Sequence, residues 1–204
     1  MPQKNEPTIS SLATSANRAP AKLDERPTAV VYCEGNFADI DGKTANGLVR
    51  SSERYRIVAV IDSTQADQDA GQVLDGFDVG IPIVSSLTDA IRVMGERPEL
   101  FIFGLAPLSG LMSRPERAAV LDAILAGLDI VSGLHEFLND DPEISAAAAI
   151  RGVTLLDVRR PQPTKDLRMF DGAIDSVKCV RIAVLGTDGA IGKRTTSTIL
   201  TKAL

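Results

Sequence analysis

Short apolar runs of strand length recur along this chain, each followed by a polar loop and then by a stretch with helical spacing. That alternation commits the chain to parallel α/β architecture. The runs are TAVVYC (28–33), RIVAVID (56–62), IPIV (81–84), ELFIFGLA (99–106), LDIVSG (128–133) and VTLLDV (153–158). Between them, KTANGLVRSS reads as a helix. SLTDAIRVMGE reads as a second, with Ser86 as N-cap. RPERAAVLDAILAG carries Pro115 at its start and Gly127 at its close, and Pro142 opens a helix that ends at Gly152. The acidic segment 63–80 shows no periodic element. Six parallel strands with intervening helices make residues 28–158 a Rossmann-like domain.

After that domain the pattern breaks. Residues 159–177 hold two prolines and several charges and read as a linker. A new unit starts in 178–204, where CVRIAVLG (179–186) predicts a buried strand and GKRTTSTILTKAL (192–204) a helix. The predicted fold is therefore a Rossmann-like parallel sheet followed by the first βα unit of a second domain. The first 27 residues, rich in Ser, Thr, Ala and Pro, predict a disordered tail.

Composition narrows the function classes. The chain has 204 residues, 44% hydrophobic, with a net charge of −5. No apolar run approaches the ~18 residues that a membrane span requires. The acidic balance gives no general attraction to phosphate backbones, which argues against nucleic acid as a partner. The tail lacks the apolar core of a secretory signal, and Glu6, Asp24 and Glu25 count against a transit peptide. A cytoplasmic protein acting on a small molecule is expected, with a homo-oligomer left open. Cys33 and Cys179 both lie in apolar runs and read as small buried hydrophobes.

The segment GTDGAIGKRTTS (186–197) stands between the predicted strand and helix of the second unit. Phosphate binding needs exposed backbone N–H groups, a helix N-terminus and a reaching cation. Gly186, Thr187, Asp188, Gly189 and Gly192 would form the turn, Lys193 the cation, and Thr195 and Thr196 the hydroxyls. The regular pattern is G-x-x-x-x-G-K-[ST]. Here five residues separate Gly186 from Gly192, and Arg194 stands between Lys193 and Thr195. The opening Gly-Thr-Asp and closing Gly-Lys resemble the P-loop of dethiobiotin synthetases. The displaced hydroxyl weakens a magnesium role, and no metal site is expected in the protein itself.

Taken with GKTANGLVR (42–50), the VIDS end of the second strand, SGLHEFL (132–138) and DVRRP (157–161), this loop resembles a bacterial and archaeal family. The family, long labelled a domain of unknown function, pairs an N-terminal Rossmann-like domain with a C-terminal P-loop domain. One branch comprises D-glutamate N-acetyltransferases. The resemblance implies D-amino acid metabolism, acyl transfer from acetyl-CoA, and a P-loop that holds the diphosphate of acetyl-CoA rather than a hydrolysable ATP.

Acyl transfer to an amine needs a base for the ammonium proton. His135, after the fifth strand at the carboxyl end of the sheet, is the natural candidate, and Glu136 could orient it or act itself. Both also admit purely structural readings. Lys43, at a helix start, could touch an anionic substrate. Arg159 and Arg160, leaving the sixth strand, could pair with a carboxylate or phosphate or could simply anchor the linker. Glu34 and Gly35 follow the first strand without the GxGxxG fingerprint of dinucleotide binding. Asp62 stands where a ribose-binding acid would be, and a turn-capping role suits it better.

Two other readings remain open. One is a P-loop ATP-dependent ligase or kinase, with Mg²⁺; the other is a non-catalytic nucleotide-binding module. A P-loop strand is normally buried between neighbouring strands, so a single βα unit is not a domain. The chain is therefore expected to be a fragment, inactive by itself.

Overall fold

The structure, a computed structural model, describes residues 25–188 and 191–204. The predicted tail lies mostly outside the described residues. The chain divides into two compact units, Met1–Pro161 and Gln162–Leu204.

The first unit is a six-stranded, all-parallel sheet in the order β3-β2-β1-β4-β5-β6. Its strands are β1 (Thr28–Tyr32), β2 (Arg56–Ile61), β3 (Ile83–Val84), β4 (Leu100–Phe103), β5 (Asp129–Ser132) and β6 (Leu155–Asp157). Each falls within a predicted run. The helices are α1 (Lys43–Arg50), α2 (Ala70–Asp75), α3 (Leu87–Met94), α4 (Arg114–Leu125) and α5 (Pro142–Arg151). All five residues of β1 are buried, as a parallel strand covered on both faces must be. Its Val30 and Val31 form the core with Phe101, Phe103, Ile130 and Ile144, and Tyr32 stacks on Phe101 and Phe103.

Capping residues set the helix ends. Ser86 accepts the Asp89 N–H at 3.1 Å to open α3. Asp141 accepts from Glu143 and Ile144, both at 3.0 Å, to open α5, and Gly152 closes that helix at φ +68°. Arg117 of α4 reaches Asp141 and also Glu143 at 2.7 Å, tying α4 to α5. The one helix that periodicity did not predict is α2. Its six residues are too few to display a period, and Asp69 holds it in place. The Asp69 carboxylate accepts from the N–H groups of Gly71, Gln72, Val79 and Ile81 at 2.8–3.2 Å.

The strand order reverses beside β1, with β2 and β3 on one side and β4, β5 and β6 on the other. The loops leaving β1 and β4 therefore diverge, and doubly wound sheets keep a ligand crevice at this place.

The second unit contains one helix, α6 (Lys193–Ala203), and short 3-10 turns at Thr164–Asp166 and Ala173–Ser176 among its described residues. The strand predicted for 179–186 is not formed, and none of the described residues of this unit is buried. A parallel P-loop strand draws its hydrogen bonds from strands on either side, and no described residue of 162–204 lies in a second strand. Cys33 is buried as expected. Cys179 is exposed, because the strand that would have enclosed it does not form.

Candidate functional site

Four loops at the carboxyl ends of β1, β4, β5 and β6 surround a cleft of about 190 Å³. Three side chains singled out in the sequence line it: Lys43, His135 and Arg159. Small and apolar residues complete it, among them Ala106, Pro107, Leu108 and Gly110, and no carboxylate is included in the lining.

Close backbone approach places Lys43. Gly42, just before it, has no room for a side chain, because a Cβ would lie 2.2 Å from the Asn36 carbonyl oxygen. Ala45 N–H donates to the Gly104 carbonyl at 3.1 Å, and Ala106 N–H donates to the Asp41 carbonyl at 2.9 Å. These two bonds fasten the start of α1 to the end of β4. Gly104 permits the contact, since a Cβ there would stand 2.5 Å from Val31 Cγ1 and 2.9 Å from Ala45 Cβ. Lys43 is the first residue of α1, and that helix has no acidic residue in its first turn. A cation there opposes the helix dipole, an arrangement that costs roughly 0.3–1 kcal/mol. Helix formation therefore does not favour Lys43 at this position.

The loop carrying His135 is joined to the loop after β4. Gly110 has φ +69°, and its carbonyl accepts the N–H groups of His135 at 3.2 Å and Glu136 at 3.4 Å. A Cβ on Gly110 would lie 2.9–3.2 Å from the His135 side chain, so the glycine lets the imidazole lie against the backbone. Sequence reasoning missed Gly110, and no local motif marks it. The Glu136 carboxylate accepts the Met112 N–H at 3.2 Å and is not among the cleft-lining groups. Its visible role is to hold the two loops together.

Arg159 Nη1 lies 3.1 Å from His135 Nε2. A guanidinium only donates, so in this contact Nε2 is assigned as the acceptor, which matches the ring tautomer protonated at Nδ1. Neither Lys43 nor Arg159 has an ion-pair partner among the described residues. Arg160 is placed differently. It pairs with Asp140 at 2.6 Å, lies 3.7 Å from Asp157, and stacks over Phe137 with its guanidinium carbon 4.7 Å from the ring centre. That geometry is the anchoring one.

Two buried aspartates hold the loops. Asp157, at the end of β6, accepts from the N–H groups of Leu138 and Asn139 at 2.9 and 3.1 Å and from the Asn139 side chain at 2.7 Å. Asp62 follows β2 and accepts from the N–H groups of Gly35, Phe37 and Thr64 and from the Thr64 hydroxyl, at 2.6–3.1 Å. Burial pushes the Asp62 carboxyl upward, but these hydrogen bonds outweigh it and hold the group below the ordinary range. Phe37 is fully buried in the same loop. The loop after β1 lacks the glycine fingerprint of dinucleotide binding, and Asp62, which stands where a ribose-binding acid would be, holds that loop. Burial, with Asp62 and two other acids nearby, pushes the Cys33 thiol up to about 12, which makes it an inert core group.

Within the second unit, Gly192 adopts φ +85° as the N-cap of α6, and no side chain caps the helix. A Cβ on Gly186 would lie 2.2 Å from Ile191 Cδ1, the tip of an exposed side chain that could move aside. Lys193 Nζ donates to the Asp188 carbonyl across the loop. Ser197, Thr198 and Thr201 donate their hydroxyls to carbonyls one turn back, at 2.8–3.0 Å. Thr195 and Thr196 lie in the first turn of α6, and Thr187 and Asp188 lie on the exposed loop. Gly189 lies outside the described residues.

Two models of one family match the chain. The Domain of unknown function (DUF1611_N) Rossmann-like domain matches residues 63–161, and the DUF1611 P-loop domain matches residues 168–204. A D-glutamate N-acetyltransferase of Tritonibacter scottomollicae is 28% identical over 143 residues, covering 70% of this chain and 41% of that protein. A D-glutamate N-acetyltransferase of a Pseudoalteromonas species is 32% identical over 104 residues, covering 51% of this chain and 30% of that protein. The crystal structure of a DUF1611 family protein from Anabaena variabilis superposes with a TM-score of 0.75 at 31% identity, over 87% of this chain and 49% of the other. The chain spans less than half the length of each of these proteins.

Proposed function

We propose, for a chain that belongs to the DUF1611 family of paired Rossmann-like and P-loop domains, a part in moving an acetyl group from acetyl-CoA to the amine of a D-amino acid such as D-glutamate. The observation that carries this reading is the meeting of Lys43, His135 and Arg159 in one cleft without a carboxylate. Two basic side chains there suit the carboxylates of an acidic amino acid, and an imidazole beside them can take a proton from its ammonium group.

The chemistry is one substitution. An N–C bond forms between the amine and the acetyl carbonyl carbon, the C–S bond of the thioester breaks with its electron pair on sulfur, and CoA departs as the thiol after that sulfur takes the second proton the nitrogen gives up. Lys43 and Arg159 bind and orient carboxylates, and His135 accepts the ammonium proton at Nε2. Glu136 and Gly110 hold the loop that presents the imidazole. The turn from Gly186 to Thr196, with Lys193, would hold the diphosphate of acetyl-CoA, which supplies the activated acetyl group.

Incubation of the product of the whole reading frame with acetyl-CoA and D-glutamate should release free CoA, measured with a thiol reagent. No release with any member of a panel of D- and L-amino acids would refute the proposal. Mg²⁺-dependent ADP formation that disappears in Lys193→Ala would instead identify an ATP-dependent enzyme.

A further inference from the structure

The contact between Arg159 and His135 has a chemical consequence of its own. Nε2 is the nitrogen that faces the cleft cation, and its lone pair is engaged by Arg159 Nη1 at 3.1 Å. A base so engaged cannot take a proton at that atom. Arg159 has no acidic partner among the described residues, and it is exposed at the end of β6, so a carboxylate entering the cleft offers it a stronger, charge-assisted acceptor than an imidazole. His135 is held independently of Arg159. Its N–H bonds to Gly110, and its side chain lies against the Gly110 backbone. Removing the guanidinium therefore uncovers Nε2 without releasing the loop.

We infer that Arg159 is a carboxylate-operated latch on His135: it occupies Nε2 until the carboxylate of an amino acid takes the guanidinium, and only then is the imidazole available to the ammonium of that same ligand. This inference rests on the reading of the cleft as an amino-acid site. The step balances. The ammonium N–H bond breaks, its proton passes to Nε2, the nitrogen keeps the electron pair, and the resulting imidazolium lies beside an arginine whose charge the carboxylate now offsets. The latch keeps the base occupied when no amino acid is bound.

The chain contains a single histidine, so its ring nitrogens can be read without assignment ambiguity. In ¹⁵N-labelled protein at pH 8, long-range proton–nitrogen spectra should show the Nδ1–H form before ligand is added. D-glutamate should move the Nε2 resonance, and Arg159→Gln should abolish the initial Nδ1–H preference and weaken D-glutamate binding by about tenfold or more. Arg159→Lys, which keeps the charge but not the planar fork, should recover part of the affinity. Far-UV circular dichroism of both variants checks that they fold. If D-glutamate binds while the ring pattern stays fixed, or if Arg159→Gln binds it equally well, the latch is wrong and the amino-acid cleft survives. If no D-glutamate binds at saturating concentration, both fall.

Discussion

Replacing Asp62 by asparagine separates two roles that a buried acid after the second strand of a Rossmann-like sheet could have. A residue kept for a ligand ribose would tolerate the isosteric amide with little loss of stability. The structure predicts otherwise, because the carboxylate takes four hydrogen bonds. One oxygen accepts from the N–H of Gly35 and from the N–H and hydroxyl of Thr64, and the other accepts from the N–H of Phe37 at 2.9 Å. In the Asp62→Asn variant the better orientation keeps the amide oxygen on the three-donor side and turns the NH₂ toward the Phe37 N–H. One buried donor is then left without an acceptor, at about 1–3 kcal/mol. The three retained bonds lose their ionic character, at several tenths of a kcal/mol each. The expected loss is about 2–4 kcal/mol. Far-UV circular dichroism in a urea titration measures it, tryptophan fluorescence being ruled out because the chain has no Trp. A loss below about 1 kcal/mol would refute the account of Asp62 as the fastening of the loop after β1.

Asp141 should give an acid-dependent stability increment. Its hydrogen bond to Arg117, reinforced by the N–H groups of α5, brings its carboxyl down to about 2, below the ordinary value of 3.8. A depressed carboxyl stabilises the fold above its unfolded value, and that stability is lost as pH falls from about 4 toward 2, amounting to roughly 1–2 kcal/mol. Asp141→Asn should remove most of that pH dependence, and an unchanged acid profile would contradict it. The two thiols should also react at very different rates. At pH 8 an iodoacetamide pulse should modify exposed Cys179 and spare buried Cys33 until urea unfolds the sheet, and equal labelling by mass spectrometry would count against the core placement.

All six strands could be read in the sequence, because a parallel strand buried on both faces is a continuous apolar run and little else is. The capped helices were equally readable, since Ser86, Pro142 and Gly152 act on their immediate neighbours. Where the determinant lies far along the chain, local reading fails. Helix α2 depends on Asp69 binding N–H groups up to twelve residues away. The strand at 179–186 had the right composition, but a strand needs a ladder as well as apolar residues. His135, Lys43 and Arg159 were each visible as polar residues at strand or helix ends. Their convergence follows from the adjacency β1-β4-β5-β6 across the switch point between β1 and β4, and strand order is written in no local segment. Gly110 escaped for the same reason, its meaning being set by a ring 25 positions later.

The carboxylates of Asp62 and Asp157 reach the loops after β1 and β5 mainly through main-chain N–H groups. A grip on the main chain does not depend on which side chain that residue bears. Exposed positions in these loops, such as Ala38, Asp39 and His135, can therefore exchange side chains while their backbones keep the same course, whereas buried Phe37, Leu134 and Leu138 cannot. The sheet thus separates where a group is presented from what is presented, so the ligand preference of this face can drift by single substitutions without rebuilding the scaffold beneath it.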